Sequence, residues 1–140
     1  MATTPLSRTM QWFRRFGWEI DVCERYNSHS RTRADLFGYA DAVAYHPNGG
    51  GVILVQATTA SHISARLKKI RGIAASKTWL NSAARRIIVI GWKQEAGLLG
   101  KWVPRAKELQ KTGDTVAFVE ADLIVPPPDR RKRTHAKQEV

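Results

Sequence analysis

The chain is short of several things. Its 140 residues include one cysteine, Cys23, which excludes an internal disulfide and a cysteine-cluster zinc site and suits a reducing compartment such as the cytoplasm. No apolar run approaches the roughly 20 residues that cross a bilayer. The opening residues, MATTPLSRTMQWF, lack the apolar segment of a secretory signal. There is no internal repeat. Acidic residues are scarce: 12 Asp and Glu stand against 23 Lys and Arg, a net charge of +11. A domain this basic is more often a polyanion binder than not, because phosphate contacts release counterions and supply affinity independent of sequence. Charge alone leaves open a solvated basic surface or a ribosome- or membrane-associated role.

What is present is ordinary for a globular protein, with 43% hydrophobic and 25% charged residues. The length suits a single domain with a modest core. We expect that domain over residues 1–125 and a flexible basic tail over 126–140, where three prolines stop regular structure and five basic residues face two acidic ones.

Taken in order, residues 6–16 place Leu6, Met10, Phe13 and Phe16 at helical spacing. Gly17 suits the position after a helix, and Trp12 and Phe13 read as core. In residues 18–26, Trp18, Ile20 and Val22 alternate with Glu19, Asp21 and Cys23, the mark of a half-buried strand. Residues 27–34 are polar and basic without apolar periodicity and read as a loop, with Arg31 and Arg33 suited to phosphate contact. His29 and His46 have no metal spacing and are assigned surface or turn roles.

The stretch RADLFGYADAVAYHPNGGGVILVQATT, residues 33–59, organises the rest. Two period-two runs, 40–45 and 52–58, flank HisProAsnGlyGlyGly, which predicts an antiparallel hairpin. Alternation puts Gln56 and Thr58 on one face and Val55 and Ala57 on the other. Two polar residues on one face of an otherwise apolar strand call for a reason. A helix follows, with Ser61 as its N-cap. Ile63, Leu67, Ile70 and Ile73 or Ala74 form its apolar stripe, and Arg66, Lys69 and Arg71 lie toward a more open side. Residues 77–84 continue helix or turn, with Trp79 and Leu80 inward. Residues 85–93 are a continuous apolar run, predicting a central strand parallel to the one carrying Gln56. An edge strand is expected over 101–109, where Pro104 argues against a helix, then a turn at 112–114 and a strand over 115–120.

The spacing Gly38-x-x-Asp41, then Gln56-x-Thr58 fifteen residues on, resembles the PD-(D/E)XK nuclease superfamily, which includes Holliday-junction resolvases, restriction enzymes and phage repair nucleases. A phage-borne subgroup is similar in AspLeuPheGlyTyrAlaAsp at 35–41, in Gln56-x-Thr58 and in SerAlaArgLeuLysLysIle at 64–70. The resemblance implies an α/β fold with a restriction-endonuclease-like αβββαβ core, a mixed central sheet flanked by helices. It implies a Mg2+ (or Mn2+) ion held by Asp41, Gln56 and the Ala57 carbonyl. Gln56 stands where the family has a carboxylate and Thr58 where it has lysine, and the first helix lacks the family's Glu. Lys69 or Arg66 is the candidate for the missing cation.

Glu24, at the end of the first strand, is either a third carboxylate for the metal or a surface charge paired with Arg25 or Arg33. Asp35 either reaches the metal or holds Arg33. Phosphodiester hydrolysis needs a metal to gather negative oxygen and lower the pKa of a water, and a cation for developing charge. Asp41, Gln56, Thr58 and Lys69 are therefore the candidate catalytic residues. Arg31, Arg33, Ser61, His62, Arg66 and Lys69 are the candidate DNA contacts. The expected function is a metal-dependent endonuclease acting on DNA, branched DNA included, in phage-type recombination or repair. The alternative is a nuclease fold that binds DNA without hydrolysis. A homodimer is the expectation by analogy, because a junction presents two symmetric strands, and a membrane partner is not expected.

Overall fold

The computed structural model describes residues 4–23, 25–30, 32–96, 100–113 and 115–121. Its centre is the hairpin of β4 (Ala42–Tyr45) and β5 (Val52–Thr59), antiparallel with Ala42 opposite Val55 and Tyr45 opposite Val52. The loop between them turns on three successive positive-φ glycines. Gly51 could not be anything larger, since a Cβ there would overlap the Ala84 carbonyl oxygen. Strand β1 (Glu19–Val22) pairs antiparallel with β4 on its free side. Strand β6 (Arg85–Glu95) runs parallel to β5, as its unbroken apolar run implies. Two further antiparallel strands, β7 (Lys101–Thr112) and β8 (Thr115–Ala121), complete a six-stranded mixed sheet in the order β1-β4-β5-β6-β7-β8.

Helix α1 (Pro5–Arg15) covers one face. The Thr4 side chain accepts from the Ser7 amide, and Pro5 occupies the first turn, where its missing N–H costs nothing. Phe13, Trp18 and Ile20 pack there on Ala42, Ala44, Ile53, Val55, Ile88 and Ile90. Trp92, on the same side, donates its indole N–H to Thr9 Oγ1 at 2.9 Å, and Thr9 donates to the Pro5 carbonyl. The opposite face carries the short 3-10 turn η1 (Ala60–His62), α2 (Ile63–Arg71) and α3 (Ala74–Trp79). Ile63, Leu67 and Ile70 cover Leu54, Ile87 and Val89, with Tyr39 and Leu109 alongside. The layers approach closely because β6 has a glycine at 91: a Cβ there would sit 2.5 Å from Ile63 Cδ1 and 2.9 Å from Ala60 Cα. The architecture is thus α/β, a mixed sheet with helices on both faces.

Four expectations need correction. The strand expected at an edge over 101–109 has β6 on one side along its length and β8 on the other from Ala106 onward, so that part is interior. Pro104 lies opposite Trp92 of β6, and the described β7–β8 pairs run from Ala106 to Thr112. Residues 27–34 are not all loop: β2 (Arg25–Asn27) and β3 (Thr32–Ala34) form a separate antiparallel ribbon. Each strand of this ribbon is three residues long, too short to show an alternation. The first strand ends at Val22, two residues short of Glu24, where its end was expected. Ser61 does not cap α2; it sits inside η1, and His62 takes the N-cap position without a side-chain cap bond. The expected tail, 126–140, lies outside the described residues, as does Asp114 of the expected turn.

Candidate functional site

Asp41 lies just before β4, one step beyond its last pair with β5, Ala42 opposite Val55, and its side chain meets that of Gln56. Its backbone is pinned on both sides. The Asp41 N–H donates to the Val55 carbonyl and the Asp41 carbonyl accepts from the Cys23 amide, each at 2.9 Å. The half-buried carboxylate accepts at Oδ2 from Gln56 Nε2 at 2.7 Å and from the Ala57 amide at 2.9 Å. Asp41 and Gln56 therefore meet directly on one side of the sheet, held by main-chain bonds that do not depend on a ligand.

The Gln56 amide turns its nitrogen toward the carboxylate, which fixes its orientation and leaves Oε1 aimed elsewhere. That oxygen is buried without a hydrogen-bond donor. A buried acceptor with no partner costs about 1–3 kcal/mol, so a cation or donor at that point is favoured. Ala57 contributes its amide N–H to Asp41, so what it offers the pair in this arrangement is a donor. Thr58 is buried further along the same face, opposite Gly91 and beside the η1–α2 junction that packs on it.

Asp35 is half-buried and acts electrostatically on Cys23. The Cys23 thiol donates to the Ala40 carbonyl at 3.5 Å and feels both acids. Burial, with the charges of Asp41 and Asp35 adding, pushes it from 9.0 up to about 11. Lys69 is exposed and Arg66 half-buried, one turn apart on the flank of α2. Ser61 and His62 are exposed and tied to Thr59, whose Oγ1 lies 2.8 Å from His62 Nδ1 and 3.3 Å from Ser61 Oγ. Glu24 and Arg31 lie outside the described residues, and Arg33 is placed in β3 without a description of its side chain. His46 is buried in a turn role: its Nδ1 accepts from the Asn48 amide, so Nε2 carries the hydrogen and donates to the Phe16 carbonyl at 3.1 Å.

Hard divalent cations take oxygen ligands, and Mg2+ commonly keeps several waters beside one or two protein carboxylates. Asp41 offers such an ion a carboxylate oxygen and Gln56 Oε1 a neutral one, but the amide presents its nitrogen, not that oxygen, to the carboxylate. Among the described residues no group of three His, Cys, Asp or Glu side chains converges on one point. The segment of chain that runs from β4 to β6 is basic. From residue 42 to residue 94 the chain has no Asp or Glu, while Arg66, Lys68, Lys69, Arg71, Lys77, Arg85, Arg86 and Lys93 all fall in that span. Arg86 is engaged by Glu108 in a two-pronged ion pair at 2.8 and 2.9 Å.

Sequence reasoning missed Cys23 as the neighbour of Asp41, although the alternation of Glu19, Asp21 and Cys23 carries the signal once β1 is paired with β4. It also missed Phe37, a bulky residue at φ +56, for which no local signal exists beyond the adjacent Gly38. Comparison of the chain with known protein families, with curated proteins and with solved structures found no match.

Proposed function

We propose that the protein is a metal-dependent nuclease acting on the phosphodiester backbone of DNA, with Asp41 and Gln56 holding the ion. The observation that carries this reading is the buried, donorless Gln56 Oε1 beside a carboxylate that the main chain fixes in place. A divalent ion taken by Asp41 and by Gln56 Oε1, once the amide turns its oxygen toward the carboxylate, would give both oxygens a partner. When bound, a divalent cation lowers the pKa of a water and offsets charge developing on the phosphate. The Ala57 amide holds the Asp41 carboxylate in place, and loading an ion would exchange the Gln56 NH2 contact for one from its oxygen. Arg66 and Lys69, on the flank of the helix that follows Thr58, draw the phosphate backbone toward the pair. The order of the elements, with α1, three antiparallel strands, helices and the parallel β6, is consistent with a restriction-endonuclease-like core in which β2 and β3 are an added ribbon.

A second reading has its own observation. The Asp41 carboxylate already receives two donors, and Thr58 in the lysine position is buried, which favours a nuclease fold that binds DNA and no longer cuts it. Incubation of supercoiled plasmid and synthetic branched DNA with Mg2+, Mn2+ or EDTA separates the two. Metal-dependent cleavage by wild type, lost in Asp41→Asn while DNA binding is retained, supports the nuclease. Binding without cleavage in any metal supports the second reading, and absence of DNA binding removes both.

A further inference from the structure

Phe37 is in the wrong place for a structural residue. With Gly38 it forms the centre of a tight turn from Leu36 to Tyr39, closed by the Tyr39 amide donating to the Leu36 carbonyl at 3.1 Å. The two central residues have φ of +56 and +83. Asn-Gly ordinarily supplies that pair of conformations, because a bulky side chain at positive φ is strained. Phe37 also leaves 51% of its surface exposed, so it recovers little burial in return. Such an outlier points toward function when it lies beside a site, and this turn leads into Asp41 four residues on.

The setting of the ring is aromatic and cationic. Trp79 of α3 lies 6.2 Å away at an interplanar angle of 42°, and Tyr39 lies 6.5 Å away at 40°. The Arg85 guanidinium sits 5.6 Å over the far Trp79 ring. Gly38 faces Ile73 at the α2–α3 junction, between exposed Arg71 and exposed Lys77. No acidic residue occurs in the α2–α3 layer, which lies within the acid-free span from residue 42 to residue 94. An exposed ring beside Trp79 and the basic α2–α3 layer, with Asp35 the acid nearest it in sequence, suits a flat base attached to a polyanion.

We propose that Phe37 is a stacking platform for an unpaired DNA base, so that the site selects DNA in which a base is free of its partner near the strand engaged at Asp41. The inference rests on the DNA-binding reading above and adds a substrate class to it. A paired base inside a duplex hides both faces, whereas a bulged, branched or single-stranded base can lie on the ring.

The test is a ratio of affinities at one salt concentration, measured by fluorescence anisotropy. The probes are a short duplex and the same duplex carrying a few unpaired thymines, with an abasic version of the unpaired segment as control. Wild type should prefer the unpaired thymines by about tenfold, the scale of one stacked base, and should not prefer the abasic control. Phe37→Gly should bring the ratio close to one, and Phe37→Trp should keep it. Glycine is the residue best suited to this φ, so loss of the preference in Phe37→Gly is not a folding defect. A ratio near one in wild type, or a preference retained in Phe37→Gly, overturns the platform and leaves the DNA-binding reading standing. Failure of wild type to bind either DNA overturns both.

Discussion

Gln56 donates its amide N–H to Asp41 Oδ2 at 2.7 Å, from β5 to the residue that precedes the neighbouring antiparallel strand β4. The bond gives glutamine a definite physical role at this position, since it meets part of the acid's demand for donors without adding a second charge. A carboxylate in its place would repel Asp41 unless an ion stood between them.

Gln56→Glu is accordingly expected to destabilise the metal-free protein by about 1–3 kcal/mol, through loss of the donor and close approach of like charges. Added Mn2+ should raise its melting temperature more than it raises that of wild type. Thermal denaturation with EDTA and with increasing Mn2+ checks both. Equal responses to metal in the two proteins would place the ion away from residue 56.

Gly91→Ala should cost about 1–3 kcal/mol, because the new methyl group would meet Ile63 Cδ1 at 2.5 Å and the Ala60 backbone at 2.9 Å. The strain falls on the junction that seats η1 and α2 over Thr58. Ile63→Ala should recover part of the loss, making the double mutant more stable than the two single effects added together. Urea denaturation of the four proteins in the cycle measures this. Strict additivity would mean that the two layers separate without strain.

Much of this site was legible because strand pairing follows from local signals. Alternation in 40–45 and 52–58, with Pro and Gly between them, sufficed to bring Asp41 and Gln56 together. The β6 run read as central because it is buried on both faces from Ile87 to Ile90. Strand β7 did not, since its polar, proline-containing sequence becomes extended through its partners β6 and β8. The direction of the Gln56 amide was not legible either. It depends on which end of the amide the neighbouring carboxylate meets, a choice made only in three dimensions. Gly91 gave no warning, as its role is contact between layers rather than a turn.

Thr9→Val keeps the shape of the side chain and removes the oxygen that receives the Trp92 indole N–H. Both residues are buried, so the indole donor is left without a partner. The expected cost is about 1–3 kcal/mol. Thr9→Ser, which retains the oxygen, should lose less, through the missing methyl group alone. Chemical denaturation of both variants decides the matter, and equal losses would show that packing, not the hydrogen bond, joins α1 to β6.

Alkaline stability should report the Asp41 neighbourhood directly. Burial, reinforced by Asp41 and Asp35, raises the Cys23 thiol from 9.0 to about 11, and burial raises the Tyr39 hydroxyl from 10.0 to about 12. In each case the folded chain favours the protonated form, so the associated stability is present below the ordinary value and is lost as pH rises through the folded one. In metal-free buffer, the unfolding midpoint should therefore fall from about pH 9 upward and keep falling toward about pH 12. Cys23→Ser should flatten the first part of this decline and Tyr39→Phe the second. Tyr39→Phe also removes a buried hydroxyl that has no partner, and it should raise stability at neutral pH by about 1 kcal/mol. Asp41→Asn takes away one of the negative charges that hold the Cys23 proton, so the thiol should titrate at lower pH. Alkylation rate against pH reads that shift, and an unchanged profile would mean that the charge at residue 41 is not felt at the sulfur.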